Sequence, residues 1–339
     1  MGAPRQRRGA TRVLVTGAGG PAAIAAMKSL REDPTVELLA ADMDPWAAGL
    51  YLVPRAARTL IPAGAAPDFT AVLLDRCRAL DVQVVLPTVD AELRPLANAR
   101  LRFADQGVDL LLAPAAALDV ILDKLTLAGH CAGVVRVPRT ERLHPGTDPA
   151  SWSYPVVVKP RSGSGSRGFL IVSSAAELAA LAGEPGLLVQ ELLPGEEYSI
   201  DVLADAAGHV IASVPRLRAR VDSGVSVGGR TVHDPELEAF GRAVAEATGV
   251  TFVANVQCKR DGAGRPALLE VNPRMPGTLG LTIAAGVDMP RLAFDSLRGR
   301  PVPPDLGFRD VAVVRFLDER VLAADEIERT ADVLTGSTR

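Results

Sequence analysis

The chain has 339 residues, 48% of them apolar, enough to bury a sizeable core and to build two or three domains. A formal charge of -3 argues against general nucleic-acid binding, and Cys77, Cys131 and Cys258, an odd set without CxxC spacing, supply neither a disulfide framework nor a zinc site. No apolar run approaches the roughly 18 residues of a membrane span, and with only four histidines the expectation is a reduced, cytoplasmic enzyme or binding protein without His-based chemistry.

The opening "RQRRGATR" lacks the apolar stretch of a targeting signal, so residues 1–11 read as a disordered tail. From 12 to 115 the short apolar runs "RVLVTG", "VELLAAD", "VQVVLP" and "VDLLLA" alternate with helix-like stretches, which predicts a parallel α/β sheet. After the first strand, "TGAGGPAA" matches GxGxxA from Gly17 to Ala22, and Asp42 ends the next strand. That pattern serves either a dinucleotide or a tight strand-to-helix turn, and the turn is favoured. Thr88, Asp90 and Glu92 fall on the same rim, as substrate contacts or as caps of the next helix.

"LDVILDKLTLAGHCAG" reads as one helix stopped at Gly133. "YPVVVKPRSGSGSRGFLIV" then sets a Gly/Ser loop between two β-branched strands, with Lys159 closing the first. Such a loop is either a flexible hairpin or, with its small residues exposing backbone N–H groups beside a cation, a phosphate cradle. Ser174 and Glu177 form a capping-box pattern, and "LLVQELLPGEEYSIDVLAD" returns to strand. In "HVIASVPRLRAR", alternation places Arg216, Arg218 and Arg220 on one face, facing an anion or forming a solvated edge. Asp234 as N-cap, Pro235 after it, the stripe Leu237, Phe240 and Val244, and Gly249 as stop mark a further helix.

"FVANVQCKR" and "PALLEVNPR", joined by "DGAG", read as a hairpin. Asn255, Gln257 and Lys259 share a face of the first strand, and Leu268, Glu270 and Asn272 a face of the second. Gln257, Glu270 and Asn272 together offer the oxygen donors magnesium prefers, and a wet sheet face suits them less well because the strands are otherwise apolar.

The ordered set Lys124, Lys159, the Gly/Ser loop, "QELLPGEE", Gln257 and "EVNPR" resembles the ATP-grasp superfamily, in the branch of the carbamoyl phosphate synthetase large subunit. The resemblance spans roughly residues 12 to 295. It implies a fold of α/β and α+β class: a Rossmann-like pre-ATP-grasp domain (12–115), an N-terminal ATP-grasp subdomain (116–190), a C-terminal subdomain (191–300) and a C-terminal extension (301–339). It implies that Lys124 and Lys159 contact ATP phosphates, and that the loop of Ser162, Gly163, Ser164, Gly165, Ser166 and Gly168 closes over them. Gln190, Glu191, Leu192 and Leu193 would border the adenine, and Glu197 the ribose. Gln257, Glu270 and Asn272 match the metal positions, for Mg²⁺ or Mn²⁺, while Arg274, Lys159 and Asn272 match the catalytic ones. Many relatives carry a carboxylate where Gln257 stands; the neutral amide would weaken magnesium binding in the absence of ATP, although the carbamoyl phosphate synthetase branch also tolerates Gln there.

That cast suits transfer of the ATP γ-phosphoryl group to a carboxylate, a step needing positioning and charge neutralisation rather than a Cys or His nucleophile. The expected activity is an ATP-dependent carboxylate–amine ligase acting on small molecules, with a homodimer allowed by the resemblance. Arg216, Arg218, Arg220 and Arg230 are candidates for holding a substrate carboxylate, and Gly277 for shaping the acceptor pocket. A carboxylase or carbamoyl-phosphate-type enzyme and a non-catalytic nucleotide sensor are the alternatives.

Overall fold

The computed structural model describes residues 9–163, 168–222, 225–316 and 318–335. Its first five strands are β1 (Thr11–Val15), β2 (Val36–Asp42), β3 (Arg58–Leu60), β4 (Val84–Leu86) and β5 (Asp109–Leu110). They pair in parallel in the order β3-β2-β1-β4-β5. Val13, Leu14 and Val15 are fully buried, as a strand covered on both faces requires. The helices α1 (Pro21–Arg31), α2 (Phe69–Ala79), α3 (Asp90–Asn98) and α4 (Arg100–Ala104) connect these strands. Strand β3 was not anticipated, because three residues carry too little periodicity to read.

The GxGxxA segment is a packing turn. Gly17 has a φ of +62°, and a Cβ there would lie 2.4 Å from Val89 Cγ2. Gly19 N–H donates to Asp42 Oδ2 at 2.8 Å, so the strand-end carboxylate binds its own loop.

The long helix expected around Lys124 is in fact two, α5 (Ala115–Ile121) and α6 (Lys124–Cys131). Asp123 causes the break: its carboxylate accepts from the N–H groups of Leu125 and Thr126, both at 3.0 Å, and so starts a new helix.

A four-stranded antiparallel sheet, β6-β9-β7-β8, comprises β6 (Thr140–Arg142), β7 (Val156–Pro160), β8 (Leu170–Val172) and β9 (Leu187–Glu191). It packs against α7 (Ala175–Leu181) around a small core of its own that includes Trp152, Val158 and Leu178. Ser174 caps α7 and donates to Glu177 Oε1 at 2.9 Å, as the sequence pattern predicts.

The third sheet is antiparallel and six-stranded: β10 (Glu197–Ala204), β11 (Val210–Asp222), β12 (Val225–Thr231), β13 (Phe252–Arg260), β14 (Pro266–Asn272) and β15 (Ala312–Val314), ordered β14-β13-β10-β11-β12-β15. Helix α8 (Pro235–Thr248) covers it, buried through Leu237, Phe240 and Val244 and ended by Gly249 in the left-handed conformation. The chain continues through α9 (Leu279–Ala284), α10 (Met289–Leu297) and α11 (Glu326–Thr335). One continuous core joins the first and third sheets. The C-terminal segment reaches both: β15 extends the third sheet, while Glu326 of α11 pairs with Arg58 at 2.6 Å. No helix among the described residues is long and apolar enough to cross a membrane.

Two expected faces are corrected by β-bulges. Strand β11 shifts register between Arg218 and Arg220 and again before Val221, so the three arginines do not form one row. On β14, Gln257 pairs with Glu270 but the next residue, Cys258, pairs with Leu268. The bulge sends Leu268 into the core, 2% exposed, and brings Leu269 to the opposite face.

Candidate active site

A cavity of about 490 Å³ lies between the four-stranded and six-stranded sheets. Lys124, Lys159, Ser162, Gly163, Gln190, Glu191, Leu192, Leu193, Glu197, Gln257 and Glu270, all singled out from the sequence, border it. Phe169 and Leu269, which were not, also border it, together with Val157, Pro160, Arg218 and Lys259. Ser164, Gly165 and Ser166 lie outside the described residues.

Each cation is held by its own local geometry. Lys124 is the first residue of α6, so the Asp123 cap that breaks the helix also aims its side chain at the cavity. Lys124 Nζ donates to Gly163 O at 2.7 Å and lies 3.7 Å from Glu270 Oε2. Arg161, entering the Gly/Ser loop, donates from Nε to Asp123 Oδ2 at 2.7 Å, tying the loop's start to the same helix. Lys159 projects from β7 and is only 9% exposed; burial pushes its ammonium down to about 8, a fall that Glu270 opposes and Lys124 reinforces.

Polar residues expected to meet the nucleotide are already partnered. Glu191 accepts from Arg136 Nη2 at 3.0 Å and from the N–H of Arg139 at 3.1 Å. Glu197 pairs with Arg218, whose side chain borders the cavity.

A second cavity, about 800 Å³, opens between the third sheet and the carboxyl-end loops of the first. Its sheet wall carries Ser199, Arg218, Asn255, Gln257, Glu270, Asn272 and Arg274, followed by Gly277. On the facing wall, Gly17, Asp42, Thr88 and Glu92 belong to the rim named from the sequence, whereas Trp46 and Pro62, from two further loops, were not anticipated. Arg218, Gln257 and Glu270 border both cavities, which therefore meet at these three side chains.

The arginines separate in role. Arg216 is 2% exposed and donates to the fully buried Asp201 at 2.6 Å, so it is a core ion pair and not a substrate contact. Arg220 and Arg230 are exposed and border neither cavity. Arg218 and Arg274 remain. The rim residues do not cap α3 from its N-cap position, which Val89 occupies. Thr88 Oγ1 instead donates to Thr16 O at 2.8 Å, Thr16 Oγ1 donates to Glu92 at 2.5 Å, and Asp90 takes both Nε and Nη2 of Arg274. Burial pushes the Glu92 carboxyl up to about 7, against the hydrogen bonds from Thr16 and the Val89 backbone, with Asp42 and Asp90 adding to the rise.

The donor set at the junction fits a magnesium ion. Glu270 supplies one carboxylate, and Gln257 Nε2 donates to Asn255 Oδ1 at 3.3 Å, which turns its amide oxygen outward as a donor to metal. Asn272 pairs directly with Asn255 on the same face. Among the described residues no group of three or more His, Cys, Asp or Glu is placed to hold a metal ion. The three cysteines are buried, and burial lifts Cys77 and Cys258 to about 12 and Cys131 to about 11, which removes them as nucleophiles.

Two family models match this chain. Residues 183–318 match "ATP-grasp in the biosynthetic pathway with Ter operon", and residues 13–111 match the "PylC-like, N-terminal domain". Over these two segments the chain is similar to an ATP-grasp family and to the N-terminal domain of PylC-like proteins. Among curated relatives, a D-alanine–D-alanine ligase of Gloeobacter violaceus is 29% identical over 165 residues, 42% of this chain and 54% of that protein. The chain thus spans about half the length of that relative. Among solved structures, the biotin carboxylase of Campylobacter jejuni in its ATP complex gives a TM-score of 0.72 at 14% identity, covering 88% of this chain and 73% of the other. An L-amino acid ligase from Bacillus licheniformis gives 0.65 at 14% identity, over 85% and 74% of the two chains. These likenesses establish the ATP-grasp fold, with its preceding α/β unit.

Proposed function

We propose that the protein is an ATP-dependent carboxylate–amine ligase that forms an acyl phosphate and releases ADP and phosphate. The observation that carries this reading is the junction of the two cavities at Arg218, Gln257 and Glu270. A nucleotide in the smaller cavity would present its γ-phosphoryl group there, and an acceptor in the larger cavity would meet it from the opposite side.

In this reading Lys124 and Lys159 bind the phosphates, the backbone of Leu192 and Leu193 borders the base, and Glu197 faces the ribose. The phosphoryl group carries the charge that Lys124 now shares with Glu270, so binding exchanges one partner of that lysine for another. Gln257, Glu270 and Asn272 would hold the magnesium ion, which neutralises phosphate charge when bound. Arg274 steadies the transferring group, and Arg218 holds the acceptor carboxylate. A carboxylate oxygen attacks the γ-phosphorus as the bond to ADP breaks; an amine then attacks the acyl carbon and expels phosphate. Depressed solvent access at Lys159 favours the transfer, because charge interactions strengthen where water is excluded.

The ligase activity of the D-alanine–D-alanine and L-amino acid ligases supports the reaction class, and small-molecule substrates go with it. The domain division at 12–115, 116–190 and 191–300 is part of the proposal, as is action without nucleic acid or membrane partners. The test is ATP turnover with Mg²⁺ against pooled amino acids, other small carboxylates and amines. ADP, phosphate and a new amide mass support the ligase; AMP release, or nucleotide binding without turnover in any pool, refutes it.

A further inference from the structure

We propose that Asp90, in the N-terminal α/β unit, is a positioning residue for Arg274 in phosphoryl transfer. The inference rests on the reading of Arg274 as the cation of the transferring group. It gives the N-terminal unit a part in the reaction that its glycine loop, closed on Asp42, does not supply.

Arg274 follows β14 directly, one residue beyond the Asn272–Pro273 step, and 184 residues separate it from Asp90. Its Nε donates to Asp90 Oδ1 and its Nη2 to Asp90 Oδ2, both at 2.7 Å. Nη1 donates to Met275 O at 3.2 Å. Two parallel bonds to one carboxylate fix the plane of a guanidinium as well as its place, which a single contact cannot do. Among the described residues these bonds engage three of the five N–H groups of the side chain, leaving two for a ligand in the larger cavity, which Arg274 borders.

The carboxylate is itself held firmly. Asp90 is the first residue of α3, where the positive end of the helix favours its charge. On one side of it Thr88 donates to the Thr16 carbonyl, and on the other Glu92 accepts from the Thr16 hydroxyl, so both neighbours of Asp90 are tied to the residue that follows β1. A Cβ on Gly17 would strike Thr88 Oγ1 at 2.8 Å, so there is no slack in this turn. The pair is partly buried, 19% exposed at Arg274 and 24% at Asp90, which limits screening by solvent. An arginine left to its own rotamers would lose that orientation before each turnover.

A clamp that merely joins the N-terminal unit to the third sheet would show the same contacts, so the test reads transition-state binding apart from stability. Calorimetry measures the affinity of the wild type, Asp90→Asn and Asp90→Glu for Mg·ADP, with and without aluminium fluoride as the mimic of the transferring phosphoryl group, beside their melting temperatures. The expected result is Mg·ADP affinity within about twofold of wild type in both variants. The tightening by aluminium fluoride should fall by about tenfold or more in Asp90→Asn and be partly restored in Asp90→Glu. Full tightening in Asp90→Asn overturns the inference, as does a loss seen only in melting temperature. Mg·ADP binding by the wild type with no tightening removes the role of Arg274 and overturns it too. Failure of the wild type to bind Mg·ADP at all tells instead against the ligase reading on which the inference stands.

Discussion

Lys159 Nζ donates to Gln190 Oε1 at 2.8 Å across β7 and β9, and Gln190 Nε2 donates on to Thr140 Oγ1 at 2.7 Å. The amide chain holds the ammonium through a neutral oxygen, and burial brings Lys159 down to about 8 against the opposing charge of Glu270. Phosphate binding stabilises the charged form and raises that value. Above about pH 8 the ligand-free protein has lost the proton that the complex must regain, so affinity for Mg·ATP falls as pH rises, by at most about tenfold per unit. Titration calorimetry between pH 7 and 9.5 checks this, and Lys159→Arg, charged throughout, should flatten the profile.

Glu92 offers a test on stability. Its carboxyl holds a proton more tightly in the fold, at about 7, than at the ordinary 4.5, so its contribution is complete below 4.5 and is lost as pH rises through about 7. Glu92→Gln keeps an acceptor for Thr16 and carries no charge. Its stability should match the wild type near pH 5 and exceed it near pH 8, by about 2 kcal/mol. Parallel melting curves at the two pH values would contradict the assignment of burial as the cause.

At the cavity junction, Gln257→Glu should tighten Mg²⁺ binding in the absence of nucleotide by about tenfold, because a second carboxylate joins Glu270. Glu270→Ala should abolish it and reduce turnover by about a hundredfold or more. Competition with Mn²⁺, followed by its paramagnetic signal, reads both affinities. Unchanged ion affinity in both variants would remove these residues from the metal site.

Gly241 of α8 lies where helix and third sheet meet: a Cβ there would fall 2.5 Å from Ser213 Oγ and 2.6 Å from Ile200 Cγ2. Gly241→Ala should destabilise by about 1–3 kcal/mol through overpacking. It borders neither cavity, so nucleotide affinity at low temperature should hold. Denaturant unfolding beside calorimetry separates the two effects.

What could be read from the sequence follows the range of the forces involved. Helix α8 was legible because Asp234, Pro235 and Gly249 act within a turn of their own positions. The shared face of Gln257 and Glu270 was legible because a short hairpin joins their strands. Arg216, Arg218 and Arg220 misled because bulges in β11 are set by the neighbouring strand, and Arg216 finds its buried partner Asp201 on β10. The helix break at Asp123 was overlooked although a capping Asp stood in plain view, its signal masked by apolar residues on both sides. Nothing local to Asp90 or Arg274 announces a contact across 184 residues.

The acyl phosphate is the centre of the account, and oxygen transfer tests it most directly. With the acceptor found in the turnover panel, its carboxylate is labelled with ¹⁸O and the phosphate released in a single turnover is weighed. Attack of the carboxylate on the γ-phosphorus predicts one labelled oxygen in each phosphate formed. Unlabelled phosphate, with the label retained in acid or amide, would mean that ATP is cleaved without activating the carboxylate.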